Sequence, residues 1–224
     1  MKLVLASAGF YTPEIVSTCV KLVGKSKDQI NIAVINEAYA VEHGDHGWVL
    51  DDLNRIKQNF TGRMELVNIL ALDLQTIMQR LRAADVIFVV GGHTDYLMHI
   101  LRKTGVAQLL PQLLQSKVYV GSSAGSMILG KRVSSRAYQR LYGEQNTYGT
   151  TDYLELVDMA IKPHYNNPLF PNNNREVLLD LAKDYPGVIY GLADNTALVI
   201  DGDQQYIVGP QSLKIKNGLA LEEA

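Results

Sequence analysis

The chain reads as an α/β protein, with a mostly parallel sheet carrying helices on both faces and an antiparallel C-terminal extension. Three observations predict this. Apolar runs of strand length alternate with helical patterns from Lys2 to Leu129, and such alternation implies βαβ crossovers. After Tyr185 the helical spacing gives way to four short apolar runs separated by turns. No linker or repeat interrupts the pattern, so residues 1–224 are expected to form a single domain.

The elements follow in order. Lys2 to Ala6 is a strand, and Pro13 to Val23 a helix with proline in its first turn. Ile30 to Ile35 is a strand, Trp48 to Phe60 an amphipathic helix, and Glu65 to Ile69 a strand. Asp73 to Ala83 is helical, with apolar residues at Leu74, Ile77, Met78 and Leu81. Next come strand Val86 to Val90, helices Thr94 to Lys103 and Val106 to Gln115, strand Val118 to Val120, and a helix reaching Leu129. The segment from Val133 to Tyr153 reads as an irregular polar excursion rich in tyrosine, either a pocket-shaping loop or a surface loop packed on the body. Met159 to Pro163 reads as a strand. Val188 to Tyr190, Ala197 to Ile200, Gln205 to Val208 and Leu213 to Ile215 form the antiparallel extension, with Asp201-Gly202-Asp203 as a hairpin turn.

The sharpest motif is Gly121-Ser122-Ser123-Ala124-Gly125, which follows an apolar strand directly. Small residues two before and two after Ser123 permit a tight strand-to-helix turn that lifts the hydroxyl clear of the backbone. The Ala124 amide would then point where an oxyanion forms. The alternative is a glycine-rich turn whose serine caps the helix.

A serine nucleophile needs a base and a group to orient that base. His164 follows Met159-Ala160-Ile161-Lys162-Pro163, at a strand exit, where α/β proteins collect reactive groups. Asp194 lies between two apolar runs and is either a turn residue or the orienting carboxylate. The order Ser123, His164, Asp194 differs from the serine–acid–histidine order of α/β-hydrolases, which disfavours that fold. Gly91-Gly92 ends another buried strand and could bring a second amide to an oxyanion, or serve a phosphate loop.

Together Gly91-Gly92-His93-Thr94, the elbow at Ser123, Pro163-His164-Tyr165 and Gly191-Leu192-Ala193-Asp194 resemble the peptidase E family of aspartyl dipeptidases, whose wider group includes cyanophycinases. The resemblance implies a class I glutamine amidotransferase-like fold and a serine peptidase acting on a short peptide. It implies Ser123 as nucleophile, His164 as base and Asp194, in place of the family's glutamate, as orienter. Gly92 and Ala124 would donate to the oxyanion. The resemblance also places His93 near the substrate amino terminus, where the typical enzyme has asparagine, and matches Arg175 to an arginine that binds the aspartyl carboxylate. If Asp194 is not the orienter, Asp152, Glu155 and Asp158 are the next carboxylates to test.

Bulk properties narrow the classes further. A formal net charge of −2 without a basic block gives no electrostatic case for nucleic acid. The longest apolar runs are far shorter than a bilayer requires, and the N-terminus reads as a strand, not a signal peptide. The single cysteine, Cys19, excludes an intrachain disulfide and suits a reducing cytoplasm. His43-Gly44-Asp45-His46 with Glu37 and Glu42 matches no compact metal pattern, so neither metal nor organic cofactor is expected. The expected partner is a small peptide substrate, with the chain as monomer or homodimer. An esterase, or a ligand-binding protein retaining the scaffold, are the alternatives.

Overall fold

A computed structural model describes residues 1–223. The elements in order are β1 (Lys2–Ala6), α1 (Pro13–Val23), β2 (Ile32–Ile35), a 3-10 turn (Glu37–Val41), α2 (Gly47–Asn59), β3 (Met64–Leu66), α3 (Leu74–Ala83), β4 (Val86–Val89), α4 (Thr94–Lys103), α5 (Val106–Leu113), β5 (Val118–Ser122) and α6 (Ala124–Met127). There follow α7 (Ser135–Tyr142), β6 (Met159–Pro163), α8 (Arg175–Leu181), β7 (Val188–Leu192), β8 (Ala197–Asp201), β9 (Gln204–Val208), β10 (Ser212–Lys216) and β11 (Leu219–Glu223).

Local chemistry sets the boundaries. Thr12 accepts the Ile15 amide at the start of α1, Pro13 occupies the first turn, and Gly24, at φ 74°, closes it. Asp73 accepts the Thr76 amide in the same way at α3.

Seven strands form the main sheet in the order β3-β2-β4-β5-β1-β8-β9. The five strands from β3 to β1 run parallel, while β8 and β9 add antiparallel at one edge. Every residue of β2, β4 and β5 is buried, as strands covered by helices on both faces must be. One apolar cluster packs α1 and α2 against one face. A larger one packs α3, α4, α5 and α7 on the other and continues into the second sheet.

The predicted C-terminal extension needs correction. Only β8 and β9 extend the main sheet; β7 and β10 join β6 and β11 in a second sheet ordered β11-β10-β7-β6. Within it β6 and β7 are parallel, and the other pairings are antiparallel. A period-two pattern marks a strand but does not name its neighbour. The excursion after Val133 also differs from expectation, because it holds α7. Ser134 caps that helix, Gly143 ends it at φ 71°, and Ala137, Tyr138 and Leu141 form its buried face. Eight residues, half of them polar on the outward side, give too short a periodicity to stand out.

Among the described residues no helix is long and apolar enough to cross a membrane.

Candidate active site

The groups of interest share one address, just beyond the C-terminal ends of parallel strands. Ser7 follows β1, Gly91 and Gly92 follow β4, Ser123 follows β5, His164 follows β6, and Asp194 follows β7.

Ser123 sits at φ 50° and ψ −114°, a strained conformation for a residue with a side chain. Close packing holds it there. A Cβ on Gly121 would lie 2.5 Å from the Ser126 nitrogen, and one on Gly125 would lie 2.1 Å from the Val89 oxygen. A Cβ on Gly91 would press on the Ser123 side chain itself, 2.9 Å from its Cβ. The glycines of the motif are thus required by backbone contact.

His164 also has positive φ, 64°, and its amide donates to Ser7 Oγ at 2.7 Å. Its ring bridges two groups, with Nδ1 2.6 Å from Asp194 Oδ1 and Nε2 2.8 Å from Ser123 Oγ. A carboxylate on Nδ1 fixes the proton there and turns the Nε2 lone pair toward the serine hydroxyl. Phe170 stacks on the imidazole at 4.6 Å and 17°, limiting its rotation. Asp194 accepts from Ser7 Oγ at 2.9 Å and from the side-chain Nδ2 of Asn167. Burial pushes its pKa up, but the His164 bond and charge and the Ser7 and Asn167 donors outweigh this and hold it below the usual range.

Gly92 adopts φ 126°, and a side chain there would strike the Ala38 backbone. Neither the Gly92 nor the Ala124 amide donates to a backbone acceptor among the described residues. Both adjoin the serine, Gly92 as the neighbour of Gly91 and Ala124 as the next residue in the chain.

A cavity of about 390 Å³ opens over these groups. Its wall includes Tyr11, Trp48, Asp52, Arg55, Met127, Tyr142, Glu144 and Phe170. Asp52 accepts from Ser122 Oγ at 2.8 Å, and burial pushes its pKa up to about 6. Glu144 accepts from the Thr94 amide and hydroxyl, and burial pushes it up to about 7.

The two residues that the resemblance matched to substrate contacts lie off this cavity wall. His93 is absent from the cavity wall. Its Nδ1 caps α4 by accepting the Tyr96 amide at 3.3 Å, and its ring meets Tyr148 edge-on. Burial lowers its pKa. Arg175 is exposed at the first turn of α8 and does not line the cavity either. The fallback carboxylates Asp152, Glu155 and Asp158 are also exposed, with Asp152 paired to Arg102 and Asp158 to Lys131. Among the described residues no group of three or more His, Cys, Asp or Glu side chains is placed to hold a metal ion.

Ser7, Asn167 and Phe170 were not anticipated. A faint signal existed for Ser7 alone, as a polar residue ending the first strand.

The fold and this arrangement define a hydrolase of the serine peptidase class. The chain belongs to peptidase family S51, whose family model matches residues 3–208. It is 33% identical over 147 residues to an uncharacterized peptidase of Listeria monocytogenes, covering 63% of this chain and 68% of that one. It is 30% identical over 139 residues to a peptidase E of Shewanella baltica, covering 59% and 57%. Among solved structures, a candidate peptidase E protein from Listeria monocytogenes superposes with TM-score 0.76 at 25% identity, over 93% of this chain and 98% of the other. A peptidase from an acI-B1 Actinobacterium shares the fold at TM-score 0.70 and 21% identity, over 100% and 92%.

Proposed function

We propose that the protein hydrolyses an amide bond in a short peptide through a Ser123–His164–Asp194 triad. The single observation carrying this reading is the unbroken hydrogen-bonded line from Asp194 Oδ1 through the imidazole to Ser123 Oγ. Ser123 Oγ attacks the scissile carbonyl carbon while its proton passes to His164 Nε2. The amides of Gly92 and Ala124 receive the charge that forms on the carbonyl oxygen. His164 then returns the proton to the leaving nitrogen as the C–N bond breaks. A water, deprotonated by the same imidazole, releases the acyl group. Asp194, held ionised by its donors, stabilises the imidazolium throughout. The cavity is of the size that takes small ligands, near the low end of the usual ~300–1,000 Å³, which fits a short peptide.

A fluorophosphonate probe tests the nucleophile. It is expected to label Ser123, and Ser123→Ala should abolish labelling. On paired amide and ester substrates, Ser123→Ala and His164→Ala should each lower kcat by about 10⁴-fold or more, and Asp194→Ala by less. Labelling that survives Ser123→Ala refutes the assignment, and turnover of the ester alone makes the protein an esterase.

A further inference from the structure

The peptide unit that leads into the imidazole is gripped at both ends by side chains. Its carbonyl, Pro163 O, accepts the Tyr142 hydroxyl at 3.2 Å and the side-chain Nδ2 of Asn173. Its N–H, on His164, donates to Ser7 Oγ at 2.7 Å. A peptide unit is planar, so donors on its oxygen and an acceptor on its N–H fix its rotation. That rotation matters here, because His164 holds φ at 64°, a left-handed value that is unfavourable for a residue with a side chain. The tilt of the plane sets where the Cα–Cβ bond aims, and so where Nδ1 and Nε2 fall.

Asn173 is committed to this contact. It is 0% exposed, and its Oδ1 finds no hydrogen-bond partner among the described residues. Buried polar atoms left unpaired are uncommon in native proteins, and they mark places where another demand overrides stability. The same residue closes the loop that follows the base. Its amide donates to Phe170 O and its carbonyl accepts the Asn166 amide, both at 2.8 Å. Inside the loop, Asn167 donates its amide to His164 O at 3.1 Å, and Phe170 donates to Asn167 O at 2.9 Å. Phe170 therefore lies over the imidazole on a loop that is pinned to the backbone on either side of the base.

Tyr142 completes the grip from another element. It is the last residue of α7, and Gly143 turns the chain away directly after it. Its ring meets Phe170 edge-on at 5.7 Å and 73°. One side chain thus touches both the carbonyl before the base and the ring stacked on it. Tyr142 also lines the cavity, whereas Ser7, Pro163 and Asn173 do not. Its hydroxyl is nevertheless spent on Pro163 and on Asn173 Nδ2, which donates to it at 3.4 Å.

We propose that Tyr142 is a positioning residue for the base. With Asn173 it locks the Pro163–His164 peptide, and its ring backs Phe170, so the imidazole stays aligned between Asp194 and Ser123. This rests on the serine mechanism above and adds the device that holds its base on a strained backbone. The wall that bounds the cleft and the clamp that aims the base share this one side chain.

Saturable labelling with a fluorophosphonate separates a clamp from a wall, because kinact reads the reactivity of Ser123 and KI reads the fit in the cleft. Tyr142→Phe deletes the hydroxyl and keeps the ring. It is expected to lower kinact by about 3- to 10-fold, the range of one net hydrogen bond. Asn173→Ala should lower kinact at least as much. The Tyr142→Phe, Asn173→Ala double variant should lower it further, since Pro163 O then keeps neither donor. As a rate constant of the folded molecules, kinact does not depend on how much of a variant is folded. Tyr142→Phe alone decides if Asn173→Ala fails to fold, since Tyr142 is only half-buried and its ring is retained. A Tyr142→Phe enzyme with wild-type kinact overturns the proposal; a raised KI beside it makes Tyr142 a wall residue and nothing more. A labelled wild type with an unaltered Tyr142→Phe rate sinks the clamp alone, whereas an unlabelled wild type sinks the serine mechanism and the clamp with it.

Discussion

Replacing Ser7 by alanine deletes one hydroxyl that serves both the base and its orienter. That hydroxyl donates to Asp194 Oδ1 at 2.9 Å and accepts the His164 amide at 2.7 Å. Ser7 is 0% exposed, so water has no route to replace it. The orphaned His164 amide costs about 1–3 kcal/mol, and the lost donor to a charged carboxylate about 1.5–3 kcal/mol. Part of this appears in stability. The rest appears in the transition state, where the charge on Asp194 balances the imidazolium. With about 1.4 kcal/mol per tenfold in rate, Ser7→Ala should lower kcat by about 10- to 100-fold. KM should change little, because Ser7 is not part of the cavity wall. Steady-state kinetics on an amide substrate, with urea unfolding of the same preparations, separates the two parts. Combining Ser7→Ala with Asp194→Ala should cost less than the product of the two, since both act through one imidazole. A Ser7→Ala enzyme with kcat within about twofold of wild type and lowered stability would refute the reasoning, reducing Ser7 to a packing residue.

Two stability predictions follow from buried charge. Lys162 is buried on β6 with Nζ 3.0 Å from the Tyr138 hydroxyl, and burial pulls its pKa down to about 7. An unfolded lysine holds its proton to about pH 10.4, so its penalty on folding is complete below about pH 7 and fades as pH rises from there toward the unfolded value. Lys162→Met should therefore raise Tm most at pH 7 and below, with the gain shrinking by pH 10; a gain that does not vary with pH would contradict the assignment. Arg132 meets Asp95 through two nitrogens, with 6% and 1% of the side chains exposed. Arg132→Met should cost about 3–5 kcal/mol in urea unfolding, by leaving Asp95 unpaired. The Arg132→Met, Asp95→Leu double variant should recover much of that, and a single-variant cost below about 1 kcal/mol would show the pair is not needed.

Much of the architecture was legible because a buried parallel strand announces itself as an uninterrupted apolar run. The predicted limits of β1, α1 and α4 match the observed ones. Ser123, His164 and Asp194 could be picked out as neighbours because each directly follows, or nearly follows, such a run. Sheet membership could not be read, since β7 and β8 have the same kind of pattern and differ only in partner. Ser7 gave too faint a signal for a similar reason. A serine after a strand is commonplace, and its partners lie 157 and 187 residues away. His93 was placed near the substrate by resemblance alone, and the sequence does not show that its ring nitrogen caps α4. Arg175 and Arg55 are alike as letters. Only the tertiary arrangement puts the first outside the cavity wall and the second on it.

Ser123 and Ser7 extend from the main sheet, His164 from the second, and Asp194 lies in the short turn where the chain passes from one to the other. The Ser7 amide donates to Thr196 on the far side of that turn, while its hydroxyl reaches back to His164 and Asp194. The hydrogen-bonded line from Asp194 to Ser123 therefore runs across a seam between two independently hydrogen-bonded layers. Slippage of about an ångström between those layers would take the imidazole out of hydrogen-bond range of the serine hydroxyl without unfolding either one. Reactivity of that hydroxyl thus serves as a gauge of how the layers are aligned, and mutations far from the cleft that loosen the seam should silence it before they melt the protein.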